Sequence, residues 1–305
     1  MKEFKHFKKV SDYHKLAHIS PPEHPLISLV DYSKVKYQSD VDDLKWRQDY
    51  YTIGLKRNVA HKFFYGQQEY DFDQGLMTFI APNQVMSLGS NPNIKNNKPS
   101  GCLLLVHPDF LWNSNLAKQI KNYAFFGYTI NEALFLSKKE ELMIMDLLNT
   151  IKREYESNID KFSQKIVISQ LELLLNYAER FYERQFITRN ISNHLILNNL
   201  EKILSDYFKD KNATEKGLPT VLWVANSLNL SSNYLSSMLK LLTGQSTQQH
   251  IHNKLIEEAK DQLSTTLLSV SQIAYSLGFE HPASFTKFFK NKTEMSPLGF
   301  RKSFN

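Results

Sequence analysis

The chain has 305 residues, of which 42% are hydrophobic and 22% charged, which is ordinary for a soluble protein and enough for about two domains. The net charge of +6 permits an anionic partner but is too small to identify one. Cys102 is the only cysteine, which excludes an internal disulfide and a multi-cysteine metal site and favours the cytoplasm. The polar N-terminus and the lack of a run of about 18 apolar residues predict neither a signal peptide nor a membrane span.

The first part of the chain is predicted to be rich in β-strands. Residues 1–45 show no clear pattern apart from an extended proline-rich stretch at 20–25. From about 46 to 112, short aromatic or β-branched runs alternate with turn residues, which is typical of a sandwich or barrel. The runs are residues 50–55, 61–65, 76–80 and 102–106, and a polar loop is predicted at 91–101.

Helical periodicity begins near residue 114, with one helix predicted after a capping box at 137–140 and another at 163–185. The second helix carries a broad apolar stripe. This stripe either packs on the barrel or pairs with its twin from a second subunit, and we favour a homodimer. The residues expected near the dimer seam are Leu171, Leu174, Leu175 and Ala178.

The C-terminal region contains an internal repeat. One copy runs from Val224 to Thr243 and the other from Ile273 to Thr293, with one extra residue after the turn of the second copy. Each copy supplies a small residue for a helix crossing, a turn residue that tolerates positive φ, an apolar plug and a polar helix start. In the two copies these are Ala225 and Ala274, Asn229 and Gly278, Leu230 and Phe279, and Ser231 and His281-Pro282.

Both copies therefore predict a helix-turn-helix unit, whose second helix enters a major groove of DNA. The inward-facing residues of these helices are predicted to be Leu235, Met238, Leu239, Phe285, Phe288 and Phe289. A linker helix at 247–263, with Ser246 as its N-cap, would span about 26 Å. That length suits two recognition helices placed in successive major grooves, which lie about 34 Å apart.

The region from about 218 to 301 resembles the AraC/XylS family of bacterial transcription regulators. The most specific matches are 271–279 and 284–290, and residues 296–301 and 255–260 also fit. Two positions depart from the family pattern. Glu294 replaces a usual glycine, and Ser237 replaces a frequent arginine, which leaves open the bases that the first unit recognises.

The resemblance implies which side chains face DNA. Those in the first recognition helix are Asn233, Ser236, Ser237 and Lys240, and those in the second are Ala283, Ser284, Thr286, Lys287 and Lys290. Asparagine can pair bidentately with adenine, and lysine can neutralise phosphate. The basic cluster expected to contact the DNA backbone is Lys287, Lys290, Lys292, Arg301 and Lys302.

The resemblance also implies a cupin-like N-terminal domain that binds an effector. Six aromatic residues are candidates for an effector pocket, with packing in the barrel core as the alternative: Trp46, Tyr50, Phe63, Tyr65, Phe79 and Trp112. A cupin metal site needs clustered His and acidic ligands, but the β region has only His61 and His107. We expect no metal, cofactor or catalytic residue.

The predicted fold is α+β, with a cupin-like β-barrel or jelly-roll domain and a helical dimerisation segment at 1–186. An all-α domain with two helix-turn-helix units joined by a linker helix is predicted at 187–305. The predicted function is sequence-specific regulation of transcription, with activation favoured. The expected partners are double-stranded DNA, a small-molecule effector, a second copy of the chain and RNA polymerase, with no membrane. The alternatives are a metabolite-binding cupin enzyme with a helical tail and an architectural DNA binder.

Overall fold

The computed structural model describes residues 4–35, 45–57, 64–65, 68–69, 75–87, 100–129, 132–157, 160–188, 190–210 and 212–303. The chain divides into two compact units, Met1–Thr188 and Arg189–Asn305. In the described ranges, no helix combines the length and the apolarity needed to cross a bilayer.

In its described residues the N-terminal unit combines ten short strands with four α-helices. Its strands are β1 (Phe4–Phe7), β2 (Ile27–Asp31), β3 (Lys45–Gln48), β4 (Tyr51–Arg57), β5 (Phe64–Tyr65), β6 (Gln68–Glu69), β7 (Leu76–Ile80), β8 (Val85–Ser87), β9 (Ser100–Val106) and β10 (Leu134–Phe135). Its α-helices are α1 (Val10–Leu16), α2 (Asn115–Gln119), α3 (Lys138–Glu156) and α4 (Ser163–Thr188).

The central sheet has five strands in the order β10-β7-β4-β9-β2, and all its described pairings are antiparallel. Its middle strands are apolar because both faces are covered. Leu103 and Leu105 of β9 pack against α1 and the separate β1-β3-β8 sheet, and the alternate residue Leu104 is equally buried on the other face. The strands predicted at 50–55, 76–80 and 102–106 are thus confirmed, and the described part of the run at 61–65 is β5.

The N-terminal prediction is confirmed only in part. In the described strands the sheet ends at β10 and β2, so a closed form of the predicted cupin-like barrel or jelly roll is not observed. Residues 1–45 contain β1, α1 and β2, whose short lengths leave no periodicity to detect. Between α2 and α3 the described residues form short 3₁₀ turns and β10, so the helices predicted from about 114 are interrupted there. Residues 91–99 of the predicted loop lie outside the described residues.

Helix α4 packs within its own chain. It begins at Ser163 as predicted, and the capping box of α3 at Ser137 and Glu140 is confirmed. The side chains of Leu171, Leu174, Leu175 and Ala178 are at most 1% exposed, and α4 packs against α3 and β10. The prediction that these four residues lie near a dimer seam is therefore wrong, because the apolar stripe is used by the core of one chain.

The six aromatic residues predicted for an effector pocket do not share one. Trp46 and Tyr50 are core residues beside α1, whereas Phe79 packs against Phe125 on the α4 side of the sheet. Trp112 is 78% exposed. Phe63 and the side chain of Tyr65 lie outside the described residues.

Cys102 is buried beneath α3, with its Sγ atom 3.9 Å from Met145 Sδ. Burial raises the pKa of the Cys102 thiol to about 11, so the thiolate is scarce at any ordinary pH. We expect the native protein to resist a thiol-reactive disulfide reagent at mildly alkaline pH and to react stoichiometrically in guanidinium chloride. Rapid labelling of the folded protein would show that the thiol is accessible and ionised.

The C-terminal unit is entirely helical in its described part. Its helices are α5 (Asn190–Lys209), α6 (Asn212–Lys216), α7 (Val221–Ser227), α8 (Ser232–Thr243), α9 (Thr247–Thr265), α10 (Val270–Ser276), α11 (Pro282–Thr293) and α12 (Pro297–Lys302). The predicted linker helix is α9, and its N-cap Ser246 forms a capping box with Gln249. Its 19 residues span about 28 Å.

Helix α9 belongs to the core as well as connecting the two repeats. Ile251, Leu255, Ala259 and Leu263 recur every fourth residue and are each at most 1% exposed. The last three of these residues share a core cluster with Phe285 and other residues of α10 and α11, and α9 also packs against α7 and α8. Packing on both repeats therefore fixes their spacing.

The repeat extends to the end of each recognition helix. Both α8 and α11 end at a residue in the left-handed conformation, Gly244 at φ 72° and Glu294 at φ 62°. The N–H groups of these residues bond to the carbonyl oxygens of Lys240 and Lys290 at 3.0 and 2.8 Å.

Replacing Glu294 by glycine is expected to stabilise the C-terminal unit by about 0.5–1 kcal/mol, because glycine adopts this conformation without steric cost. Thermal unfolding monitored by circular dichroism measures the change. Replacement of the adjacent exposed Met295 by glycine provides the control. A destabilised Glu294→Gly protein would contradict the expectation.

Candidate nucleic-acid interface

The two helix-turn-helix units have matching turns. Asn229 and Gly278 occupy the left-handed region at φ 55° and 89°, which confirms the prediction of positive φ at both positions. The residue after each turn donates to the carbonyl of the buried alanine, Leu230 to Ala225 at 2.9 Å and Phe279 to Ala274 at 3.0 Å. Equal bonding at equal positions shows that the repeated sequence folds into a repeated structure.

The plugs and the helix starts differ between the units. Phe279 is buried in the core, whereas Leu230 is only partly buried. The Ser231 hydroxyl accepts a hydrogen bond from the Tyr234 N–H at 3.1 Å, as an N-cap should. At the second unit Pro282 occupies the first helical position as predicted, but the His281 side chain makes no capping bond.

The inward faces of α8 and α11 are those predicted, with Phe288 partly buried and the others fully buried. The sequence interpretation missed Tyr234, which is 1% exposed. It occupies the repeat position of the exposed Ser284, so the two recognition helices present different surfaces at equivalent places.

In α8 the predicted DNA-facing residues are not equally available. Asn233 and Lys240 are exposed, and Ser237 is partly buried. The Ser236 hydroxyl lies 3.0 Å from the hydroxyl of Thr247, a buried residue in the first turn of α9. Ser236 is therefore engaged in the contact between α8 and α9.

In α11 the exposed face carries most of the predicted residues. Ala283, Ser284, Lys287 and Lys290 are exposed, whereas Thr286 is partly buried and donates to the Pro282 carbonyl at 3.0 Å. Threonine on this helix thus satisfies part of its hydrogen-bonding capacity internally.

Two exposed residues of the second unit were missed by the sequence interpretation. Asn291 follows Lys287 by one turn and lies on the same exposed face of α11. His281 precedes α11 with its imidazole exposed. The helical period of α11 was a sufficient signal for Asn291.

The basic cluster divides into two parts. Lys287, Lys290, Lys292 and Lys302 are exposed and carry charge suited to phosphate. Arg301 is only partly buried, but its Nε atom donates to the Leu263 carbonyl at the end of α9, at 3.1 Å. The assignment of Arg301 to DNA backbone contact is therefore corrected, because its guanidinium holds α12 against α9.

A contact between two aromatic rings joins α9 to α11 beside this cluster. The His252 ring packs edge-on against Phe288, with ring centroids 5.1 Å apart. Burial, with a smaller contribution from Lys292, lowers the pKa of His252 below its usual value of 6.5. The imidazole is therefore uncharged at neutral pH, and the positive charge here comes from lysine.

In the described part of the chain, no group of three His, Cys, Asp or Glu residues is placed to hold a metal ion. His107 caps a 3₁₀ turn, where its Nδ1 accepts from the Asp109 N–H at 3.2 Å. His61 lies outside the described residues.

Two helix-turn-helix units that share a core through one connecting helix define a tandem DNA-binding domain. A family model described as a helix-turn-helix domain matches residues 224–303. Over this domain, the chain is similar to transcription regulators of the AraC/XylS type.

The relatives agree on this class. The raffinose operon transcriptional regulatory protein RafR of Pediococcus pentosaceus is 36% identical over 84 residues, which cover 28% of this chain and 30% of RafR. The transcriptional activator RhaS of Escherichia coli is 29% identical over 143 residues, which cover 46% of each chain. The matched segments thus span less than half the length of these two relatives.

Among solved structures, the DNA-binding domain of AdpA in complex with a target DNA is similar at 20% identity, with a TM-score of 0.30. The match covers 34% of this chain and 91% of that one.

Proposed function

We propose that the chain is a sequence-specific DNA-binding regulator of transcription that acts as an activator in the cytoplasm. The observation that carries this proposal is the pair of helix-turn-helix units whose turns repeat in backbone conformation and hydrogen bonding. A single helix-turn-helix unit also occurs in helical domains that do not bind DNA. Two units held at fixed spacing by the buried face of α9 suit two major-groove segments on one side of a duplex.

The division of labour between the units follows from their exposed side chains. Lys287 and Lys290 of α11 supply phosphate contacts, which give affinity but little sequence information. In α8 the exposed amide of Asn233 pairs with adenine, whereas Ser237 offers a hydroxyl that accepts either bonding role. The second unit therefore anchors the protein on DNA phosphates. The first unit, whose exposed face carries few charged groups, selects the bases.

Selection of binding sites from a random DNA library with the full chain, followed by gel shifts, tests this function. We expect a selected duplex to survive a large excess of unrelated DNA, since specific binding typically exceeds non-specific binding by about 10³-fold or more. Equal competition by unrelated and selected DNA would contradict sequence-specific regulation.

The N-terminal unit is proposed to be a cupin-like sensor domain without catalytic activity. RhaS is named an activator and RafR an operon regulator, which favours the same kind of role here. A small-molecule effector and RNA polymerase are the further partners.

A homodimer is also proposed. The exposed Ile166 and Leu173 are apolar residues of α4 outside the core, and they are available for contact with a second copy of the chain. Sedimentation that shows a strict monomer at micromolar concentration would contradict the dimer.

A further inference from the structure

The internal repeat pairs the two recognition helices position by position. After the turn, each residue of the second copy lies 50 positions beyond its counterpart in the first, so Lys240 of α8 corresponds to Lys290 of α11. The next residue is Leu241 in α8 and Asn291 in α11, and both are exposed. The two units therefore carry the same cation at one position and chemically different side chains at the position that follows.

Leu241 lies at the edge of the recognition face of α8. An α-helix turns by about 100° per residue, so Leu241 is about 40° around the helix from Ser237 and about 80° from Asn233. Its side chain is 39% exposed, whereas the core-facing Met238 and Leu239 are fully buried. Leu241 is thus an apolar side chain at the place where the recognition face meets the buried face.

An apolar group at this edge suits one feature of the major groove. When Asn233 points at the base edges, a side chain at the edge of the face points toward a wall of the groove. Thymine carries a C5 methyl group there, which is the only apolar group that a base presents in the major groove. Leucine has no hydrogen-bonding group in its side chain, so this methyl group is the base feature that it can distinguish.

The charge of α8 gives such a contact particular weight. Lys240 is the only charged residue within Ser232–Thr243, whereas α11 carries three lysines. The first unit therefore gains less affinity from phosphate neutralisation than the second. Burial of apolar surface adds affinity that does not depend on released counterions. An exposed leucine beside the groove supplies surface of this kind.

We propose that Leu241 is a specificity-determining residue of the first unit and recognises thymine through contact with its C5 methyl group. Asn291 presents an amide at the same position of the second unit, where a bidentate pair with adenine is the matching contact. The DNA segments bound by the two units therefore differ in sequence. This inference rests on the proposed function and adds a base preference to it.

Replacement of thymine by uracil tests the contact, because uracil lacks the C5 methyl group and keeps the same base-pairing edge. Each thymine of a selected duplex is replaced in turn, and binding of the full chain is measured by gel shift. We expect one replacement in the segment bound by the first unit to weaken binding about fourfold, as for loss of one buried methyl group. The factor should be the same at low and high salt, since no ion pair is involved.

Leu241→Ala shortens the side chain at an exposed position without loss of helix propensity. We expect this variant to bind the thymine duplex about three- to tenfold more weakly and to lose its sensitivity to that uracil. Leu241→Met keeps an apolar side chain and should retain the sensitivity. The matched control is Leu195→Ala, at a 54% exposed leucine of α5, which should behave as the wild type does.

The proposal is overturned if no uracil replacement has an effect, or if every effect persists in Leu241→Ala. Competition with unrelated DNA separates this inference from the proposed function. Preference for the selected duplex persists if only the Leu241 contact is wrong. Loss of that preference in the wild type would contradict both.

Discussion

Replacing Gly278 by alanine is expected to destabilise the C-terminal unit by about 3–4 kcal/mol, with loss of DNA binding near physiological temperature. Two costs combine at this turn. The residue has φ 89°, where an L-side chain is strained, and an added Cβ would lie 2.7 Å from the Gly217 carbonyl carbon and 2.8 Å from the Ala213 oxygen. Both neighbours are backbone atoms, so a side-chain rotation cannot relieve the contact.

Gly244→Ala is the matched control, since that glycine has φ 72° but an added Cβ meets no atom within 4 Å. Only the conformational cost applies there, and we expect a loss of about 1 kcal/mol. Chemical denaturation of both variants measures the difference between steric and conformational cost. Equal destabilisation would show that the close approach of the turn to α6 has no energetic importance.

Removing the ammonium groups of Lys287 and Lys290 together is expected to weaken binding to a selected duplex by about 10- to 100-fold at moderate salt. Each lysine that neutralises a phosphate releases about 0.9 counterion from B-DNA. The slope of log K against log salt concentration should therefore become shallower by about 1.8 for the double alanine variant. Binding at several salt concentrations measures both quantities.

The charge-matched control is Lys202→Ala with Lys209→Ala, two exposed residues of α5 outside the recognition helices. This variant has the same net charge as the test variant, so a general electrostatic effect would weaken both equally. An unchanged slope for the Lys287 and Lys290 variant would remove these residues from the interface.

Much of the C-terminal domain was predictable from the sequence because its signals are local. Turn glycine and asparagine, serine caps and helical periodicity act within a few residues, and Gly278, Ser246 and Phe285 lie where those signals place them. The internal repeat added independent support, since each copy predicted the other.

The N-terminal unit was harder to predict because its structure depends on distant pairings. Strand β1 pairs in parallel with β3, about forty residues away, and nothing within Phe4–Phe7 specifies that partner. The apolar stripe of α4 illustrates the same limit. Periodicity identified a buried face, but only the fold shows that this face is covered by its own chain.

Side-chain direction also lay beyond the sequence in the candidate interface. Arg301 resembles its lysine neighbours in charge, yet its guanidinium bonds to the end of α9 because α12 folds back on that helix. Ser236 lies on the predicted recognition helix, but the chain reversal after α8 brings Thr247 to its hydroxyl. Tertiary contacts thus reduce the set of side chains available to DNA.

Footprinting of the full chain on a selected duplex tests most directly whether one chain uses both helix-turn-helix units. The predicted result is two protected major-groove segments on one face of the duplex, with centres about 10–10.5 base pairs apart, and weakened protection of one segment in the Lys287 and Lys290 double variant. A single protected segment, or two segments that the double variant protects as strongly as the wild type, would contradict the account.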